Sequence, residues 1–364
     1  MTVLMFIFAI FAVVGAVDRI IGNRFGVGQE FEKGIMATGS LALSMVGMIC
    51  IAPAFTKILI PVITPVAKIF HFDPSVIIGS VLANDLGGAS LAQSLAENSL
   101  MGGFNGLVVA SMLGATISFT IPVALRSIKK ELHKEVLLGI LCGIGTIPVG
   151  CIVSGLMLGI DFVGLMLNLA PVIVIAIVTC LGIAKAPELS VKIFKILGHL
   201  IVCLVTVGLV GGIFQSLTGK VIIPGMTDIL EGFEIVANIG IILAGVFPLI
   251  FVVSKVLGKV FAKFGKVLKI NDVSVMGFIS SLANSIPTFE MAEKMDKKGI
   301  IMNMAFAVSG SFVFGDHLAF TMAFDKSFVG AMIAGKLISA VCAAIVAAFV
   351  YKINYEKKVT PSAN

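Results

Sequence analysis

Long apolar runs separated by short polar segments dominate this sequence. Nine of the runs contain about 20 residues, the length that an α-helix needs to cross the hydrocarbon core of a bilayer, and polar or basic residues mark their ends. The pattern predicts an all-α polytopic membrane protein with about nine transmembrane helices. The nine predicted spans are 2–22, 35–55, 103–125, 136–158, 163–184, 196–214, 235–253, 300–322 and 328–350.

Two further segments, 74–96 and 273–295, are apolar for only about half their length before a polar break, and each then becomes amphipathic. A plain membrane span does not have this pattern. Non-helical backbone at membrane depth is tolerated where it is buried in protein or lines a cavity. We therefore predict that each segment is a re-entrant hairpin, made of two half-helices that enter and leave on the same side of the membrane.

The lysines and arginines favour this arrangement over eleven plain spans, because short cytoplasmic loops collect basic residues. With nine spans and two hairpins, 21 of the 26 Lys and Arg lie on one side and four on the other, while Lys336 lies inside the last span. With eleven spans the loop charges divide 10 to 15. The charge distribution thus predicts an N-terminus outside the cell, a cytoplasmic C-terminus, and hairpins that enter from opposite faces.

A weak internal repeat relates the two halves of the chain. The pattern SxLAN at 80–84 recurs at 280–284, and flanking matches at offsets between 196 and 202 extend the register. The first helix of one half is the second span, and its equivalent in the other half is the seventh. Because their span numbers differ by an odd number, the two helices cross the membrane in opposite directions. We therefore predict two inverted repeat units, about 31–158 and 233–350, within a single integral membrane domain that comprises residues 1–364.

Inverted repeats that each carry a broken element are typical of secondary transporters. This organisation favours solute transport of an elevator-like kind. We expect the hairpins and the spans 103–125 and 300–322 to form a mobile unit that carries the substrate past a scaffold of the remaining helices. The sequence leaves the oligomeric state open, and a homo-oligomer would form through the scaffold helices.

Composition agrees with the membrane assignment, since 58% of the residues are hydrophobic and 13% are charged, against about 25% charged in a typical soluble domain. This excludes a soluble enzyme. The net charge of +6 follows from the basic loops, so we expect membrane lipid and no nucleic acid as a partner. The six cysteines lie singly in apolar runs without metal-ligand spacing, and we expect no cofactor and no metal.

The hairpin tips carry the candidate chemistry. Asp85 follows Asn84 at the first tip, and a carboxylate at membrane depth is costly enough to be functional by default. The carbonyl groups at the end of a half-helix carry negative partial charge, so this tip suits a cation. At the second tip Asn284 and Ser285 precede Pro287 and offer uncharged amide and hydroxyl groups. A turn or capping role for the two asparagines is the structural alternative.

Asp316 and His317, in the eighth span, are further candidates for substrate binding. Asp316 and Lys336 have similar predicted depths on consecutive antiparallel helices, so a neutralising ion pair between them is the alternative interpretation. Glu290 follows the second tip, where it can also face the cytoplasmic vestibule. Glu32 lies at the entry to a helix, where an interfacial anchor is the common role. The sequence does not decide the roles of these two glutamates.

Several of these segments, in the same order along nearly the whole chain, resemble the ethanolamine-utilisation permease family of EutH type. The resemblance implies passage of protonated ethanolamine across the cytoplasmic membrane into the cell for ethanolamine catabolism, without a cofactor. The segments that carry it are VDRI at 17–20, FEKGIMA at 31–37, LAL at 41–43, MVGM at 45–48, DLGG at 85–88, IPVAL at 121–125, TIPVGC at 146–151, LAN at 282–284, IP at 286–287 and GDHL at 315–318.

The residues agree with that substrate. Ethanolammonium is one cation and one hydroxyl two carbons apart, so it needs a carboxylate and carbonyls at one end and an amide or hydroxyl at the other. Two alternatives stay open at this stage. One is an ion-coupled carrier of another small polar or cationic solute. The other is an intramembrane aspartyl hydrolase that uses Asp85 and Asp316 as a dyad.

Overall fold

The regular structure in the described part of the chain is helical throughout. The structure is a computed structural model that describes residues 2–356, apart from the side chains of residues 2, 257–264 and 356. Within that part, eight helices are long and apolar enough to cross a membrane, judged by length and composition. The prediction of an all-α polytopic membrane protein is confirmed in this coarse form.

The chain opens with one span and then a very long helix. Helix α1 covers Thr2–Ile20, and α2 covers Val27–Leu41. A single π-helical turn, Ala42–Val46, joins α2 without interruption to α3, Gly47–Phe70. The predicted span 35–55 is therefore the middle of a helix that runs for 44 residues.

The first predicted hairpin has two helical arms, α4 (Ser75–Val81) and α5 (Gly88–Leu95), which pack against each other. The structure confirms its helix-break-helix form. Between the arms the chain makes a short 3-10 turn, Asn84–Leu86. The re-entrant character of this hairpin stays a prediction.

A central helix follows and fills the middle of the molecule. It begins as α6 (Ser99–Gly103), continues as π-helix through Phe104–Gly114 and Thr116–Thr120, and ends as α7 (Ile121–Ser127). Every residue from 102 to 121 except Phe119 is buried. A helix that is apolar on all sides is expected to be surrounded by protein, which is its position here.

The next helices form the predicted fourth to seventh spans. The predicted span 136–158 is divided into two helices by a short break after residue 144. The side chain of Asp161 accepts a hydrogen bond from the Gly164 N–H (3.0 Å) and that of Asp228 from the Leu230 N–H (2.9 Å), which caps two of the helices. The helices are α8 (His133–Ile144), preceded by a 3-10 turn (Lys130–Leu132), α9 (Ile147–Met157), α10 (Phe162–Lys185), α11 (Pro187–Thr218) and α12 (Ile229–Leu268).

The second predicted hairpin also has two arms, α13 (Asp272–Ala283) and α14 (Ile286–Met291), extended by a 3-10 turn, Ala292–Lys294. The hydroxyls of Ser281 and Thr288 lie 2.9 Å apart and connect the arms. Its helix-break-helix form is thus confirmed as well. The last helix, α17, covers Val329–Tyr351; a 3-10 turn (Lys326–Phe328) precedes it and a π-turn (Lys352–Glu356) follows it.

The predicted span 300–322 is not one continuous helix, which corrects the count of nine plain spans. Helix α15 covers Lys297–Gly310, α16 covers Asp316–Phe324, and the five residues between them are unwound. The N–H groups of Phe312 and Phe314 donate instead to carbonyls of the second hairpin. These bonds replace the helical ones that the unwound backbone gives up, which makes the break tolerable inside the protein.

Replacing Gly315 by Ala is expected to destabilise this contact. A Cβ at Gly315 would overlap the carbonyl of Ala283 at the second tip, and backbone cannot move aside as a flexible side chain can. Such overpacking costs about 1–3 kcal/mol. The free energy of unfolding in mixed micelles would measure it. Gly330→Ala is the matched control, because no atom lies within 4 Å of its Cβ position; equal stability of the two variants would contradict the contact.

Candidate functional site

The first tip is an extended loop that presents two polar side chains. Helix α4 ends at Val81, and Leu82 and Ala83 have extended backbone conformations. The Ala83 N–H donates to the Ser118 hydroxyl on the central helix at 3.0 Å. Gly87 then takes a left-handed conformation with φ of 90°, which is unfavourable for other residues. This turn places Asn84 and Asp85 at the break between the arms.

The second tip is built differently. Asn284 is extended, and its side-chain oxygen accepts a hydrogen bond from the Ile286 N–H at 2.8 Å. This contact gives Asn284 the turn role that the sequence analysis named as the structural alternative to substrate binding. Pro287 lies in the first turn of α14, where the missing N–H costs no hydrogen bond. The tip therefore leaves Ser285 as its buried polar side chain.

The unwound segment between α15 and α16 pairs with the second tip. The Phe312 N–H donates to the Ser281 carbonyl at 3.0 Å, and the Phe314 N–H donates to the Leu282 carbonyl at 2.9 Å. Phe312 has a positive φ of 61°, a conformation that is strained for a bulky residue and that often marks functional sites. This pairing holds the start of α16, and with it His317, in a fixed position.

A chain of three ionisable side chains connects this segment to the first tip. His317 Nε2 lies 4.0 Å from Asp85 Oδ1, and His317 Nδ1 lies 3.1 Å from Lys336 Nζ. Lys336 also donates to the Ser111 carbonyl of the central helix at 2.5 Å. An ammonium group can only donate, so Nδ1 accepts and Nε2 carries the ring hydrogen towards Asp85.

The three side chains differ in exposure. Lys336 is fully buried and His317 is 2% exposed, whereas 20% of the Asp85 side chain is accessible. Burying a charge is costly unless it is paired. The amine of Lys336 is held inside the protein by the Ser111 carbonyl and His317, and Asp85 is the member of the chain that can also meet a ligand.

Asp316 does not pair with Lys336, which corrects the alternative drawn from helix depth. In the described part of the chain Lys336 contacts His317 and Ser111, and Asp316 has no basic group within 4.0 Å. The depth estimate assumed a continuous helix over 300–322. Because residues 311–315 are unwound, α16 presents His317 rather than Asp316 to Lys336, and Asp316 is half-buried at the start of α16.

Some of the buried polar atoms without a hydrogen-bond partner among the described residues lie at the tips. They include both side-chain atoms of Asn84 and the hydroxyl of Ser285. Native proteins rarely leave such groups unpaired, because each costs about 1–3 kcal/mol. Asn84 directly precedes Asp85, and Ser285 belongs to the tip that pairs with the unwound segment, so these groups are the candidates for contact with a polar ligand. Three further hydroxyls belong to the same class, those of Ser80 and Ser311 near the tips and that of Thr56 on α3.

Sequence reasoning selected Asn84, Asp85, Ser285 and His317 but missed other residues of this region. Ser80 belongs to the repeated SxLAN pattern, which could have identified it. Phe312 gave no sequence signal: its ring centroid lies 5.1 Å from that of His317 and 5.5 Å from that of Phe119. These aromatic rings line one side of the chain of ionisable groups.

The two undecided glutamates lie apart from these contacts. Glu290 is exposed on α14. Glu32 forms an exposed ion pair with Arg19, with Oε1 at 2.6 Å from Nε, in agreement with a surface anchor. In the described residues no group of three or more His, Cys, Asp or Glu side chains is arranged to hold a metal ion.

Comparison with known proteins gives consistent matches over the whole chain. Residues 1–350 match a family model described as "Ethanolamine utilisation protein, EutH". A Listeria monocytogenes protein named "Probable ethanolamine permease EutH" is 47% identical over 352 residues, which is 97% of this chain and 94% of the relative. No solved structure matches the chain at a significant level.

Two other relatives have similar coverage. The Escherichia coli protein named "Probable ethanolamine permease EutH" is 37% identical and covers 94% of this chain and 93% of its own length. A Bacillus subtilis protein named "Uncharacterized protein YxeR" is 38% identical with the same coverage of both chains. The matches extend across both hairpins and the unwound segment that form the site.

Proposed function

Because the chain belongs to the EutH family of ethanolamine utilisation proteins, we propose that it carries protonated ethanolamine across the cytoplasmic membrane into the cell, where ethanolamine is catabolised. The relatives named above include permeases, and membership in this family makes the chain a membrane transport protein rather than an enzyme. The aspartyl hydrolase alternative is therefore set aside.

The observation that carries the proposal is a carboxylate beside unpartnered buried polar groups. Asp85 is accessible enough to accept hydrogen bonds from an ammonium group, and the last carbonyls of α4 lie next to it in the chain. The amide of Asn84 and the hydroxyl of Ser285 are free to bind an alcohol. These are the two ends of ethanolammonium. Asp316 and His317 border the same region, with Asn284 at its turn.

Uptake of labelled ethanolamine into proteoliposomes tests the proposal. We expect time-dependent uptake that exceeds that of protein-free liposomes and that excess unlabelled ethanolamine suppresses. Ethylene glycol, which lacks the ammonium group, should suppress uptake only weakly. Ethanolamine uptake no faster than in protein-free liposomes would contradict the proposal, and sodium-dependent uptake of another small solute that ethanolamine does not inhibit would support the ion-coupled alternative.

Replacing Asn84 by Leu is expected to raise the KM for ethanolamine roughly 2-fold to 10-fold, the effect of losing one or two hydrogen bonds, with little loss of stability. Asn84 has no partner within the described protein to lose. Asn105→Leu is the matched control: Asn105 is equally buried but bonds to Ser75 and Asn168. We expect Asn105→Leu to lower stability instead, and the reverse pattern would contradict the assignment.

The inverted-repeat organisation belongs to the same proposal. Equivalent positions support it: Asn105 on the central helix donates to the Ser75 hydroxyl at 2.8 Å, and Asn303 on α15 donates to the Ser274 carbonyl at 2.8 Å. In both cases the asparagine ties a hairpin to the helix that follows it. A mobile unit of two hairpins and these two helices would carry the substrate past a scaffold, elevator-fashion, and a homo-oligomer would form through the scaffold.

The proposed orientation, with the N-terminus outside and the C-terminus in the cytoplasm, rests on the loop charges. It is tested with single cysteines at two exposed positions, Ser99→Cys and Lys294→Cys, after replacement of the exposed native Cys203. A membrane-impermeant maleimide on intact cells should label position 99, and position 294 only after permeabilisation. The opposite labelling would reverse the topology, and labelling of both from outside would exclude inverted units.

A further inference from the structure

A cavity of about 860 Å³ lies away from the site just described, between the ends of α8, α10 and α11 and the C-terminal turn. It is lined by the first residues of α8 and α11 and the last residues of α10. The ends of three membrane helices meet there. In a bilayer such helix ends lie at the level of the lipid headgroups.

The mouth of the cavity is basic. Lys130, Lys134 and Lys195 line it, and Glu188 is the one carboxylate among its lining residues. In the described part of the chain none of the three lysines has a carboxylate within 4.0 Å. Three cations around one opening therefore lack a carboxylate partner within the described protein, although Lys134 Nζ also lies 5.9 Å from the centroid of the Tyr355 ring.

The neighbouring Lys129, in contrast, forms an ion pair within the protein. Its Nζ lies 2.7 Å from Glu293 Oε2, and this hydrogen bond raises the pKa of Lys129 above its ordinary value. Lys297 likewise approaches Glu135 at 3.5 Å. Carboxylates are thus supplied to adjacent lysines but not to those that line the cavity.

The walls below the mouth are apolar. Leu137, Leu138 and Leu141 line one side of the cavity, and Ile183 and Val191 line another. From Lys134 to Leu141 the helix rises about 10 Å. The cavity therefore combines a cationic rim at headgroup level with a hydrocarbon-like wall that extends towards the membrane interior.

We propose that this cavity binds an anionic phospholipid, with its phosphate against Lys130, Lys134 and Lys195 and an acyl chain along the leucines of α8. Basic pockets between membrane helices suit anionic headgroups. A soluble phosphate compound could use the same lysines, but it would leave the apolar wall unused. Tyr355, which donates to the buried carboxylate of Glu135 at 3.1 Å, completes the rim.

The test compares lipid binding by the full-length protein in detergent, using phosphatidylglycerol and phosphatidylcholine with the same acyl chains. Each lysine near an anionic headgroup changes the binding constant about 5-fold. We expect Lys134→Gln with Lys195→Gln to weaken phosphatidylglycerol binding about 30-fold. The matched control is Lys185→Gln with Lys192→Gln, which removes the same charge from neighbouring positions that do not line the cavity.

Thermal unfolding of each variant without lipid verifies that it is folded. Equal binding of the two lipids by the wild-type protein, or equal weakening in the two double variants, would overturn the proposal. Glycerol 3-phosphate supplies the headgroup chemistry without acyl chains and should bind weakly or not at all. If it binds as well as phosphatidylglycerol, the ligand is a soluble phosphate compound. None of these outcomes depends on ethanolamine transport.

Discussion

Asp85→Asn should lower the rate of ethanolamine uptake by between about 10-fold and 100-fold. The substitution keeps the size of the side chain but removes the charge that would meet the ammonium group. A hydrogen bond to a charged group contributes about 1.5–3 kcal/mol, which corresponds to this range of rates or affinities. Initial rates in proteoliposomes at low ethanolamine concentration measure the effect.

Glu290→Gln is the matched control for Asp85→Asn, since it neutralises an exposed carboxylate on the second hairpin. It should leave uptake within about 2-fold of the wild type. Unchanged uptake by Asp85→Asn would refute the site at the first tip. Equal losses in both variants would instead mean that the total negative charge of the hairpins attracts the cation, without a specific contact.

Lys336→Met should destabilise the protein by about 1–3 kcal/mol, the cost of leaving buried hydrogen-bond acceptors without a donor. Lys336 is fully buried and donates to the Ser111 carbonyl and to His317. Methionine fills a similar volume but leaves both acceptors without a donor and leaves Asp85 without its nearby cation. Unfolding in mixed micelles measures the loss, and uptake should fall with it.

Lys326→Met, at an exposed position just before the same helix, should leave stability nearly unchanged. The double variant Lys336→Met with Asp85→Asn is more informative. If the ammonium offsets the Asp85 charge through His317, the double variant should be less destabilised than the sum of the single effects. Strict additivity, or a Lys336→Met protein as stable as Lys326→Met, would mean that the three side chains do not act together.

The membrane spans and both hairpins were predictable because they follow from local composition. A run of about 20 apolar residues partitions into lipid whatever its neighbours are. The polar breaks at 84–85 and 284–285 interrupt their helices independently of the tertiary contacts. The tips were predictable as candidate sites for the same reason. A carboxylate is costly at the predicted membrane depth, which is why Asp85 was predicted to bind the substrate.

The break within the predicted span 300–322 was not predictable from composition. Its sequence, SFVFG at 311–315, is apolar enough to continue a helix. It is unwound because Phe312 and Phe314 bond to carbonyls of the second hairpin, some 30 residues away in the chain. Such a long-range exchange of hydrogen bonds has no signature in hydrophobic periodicity, and it is the reason that the alternative pairing of Asp316 with Lys336 does not form.

The sequence by itself determined the class of the protein, the position of most helices, the helix breaks of the two hairpins and the choice of Asp85 as a candidate, since each depends on the transfer free energy of nearby residues. Only the tertiary structure decided that His317 connects Asp85 to Lys336 and that Asn84 and Ser285 lack partners within the described protein. Those facts depend on which atoms meet across separate helices, and short-range hydrogen bonding and ion pairing are fixed by that geometry alone.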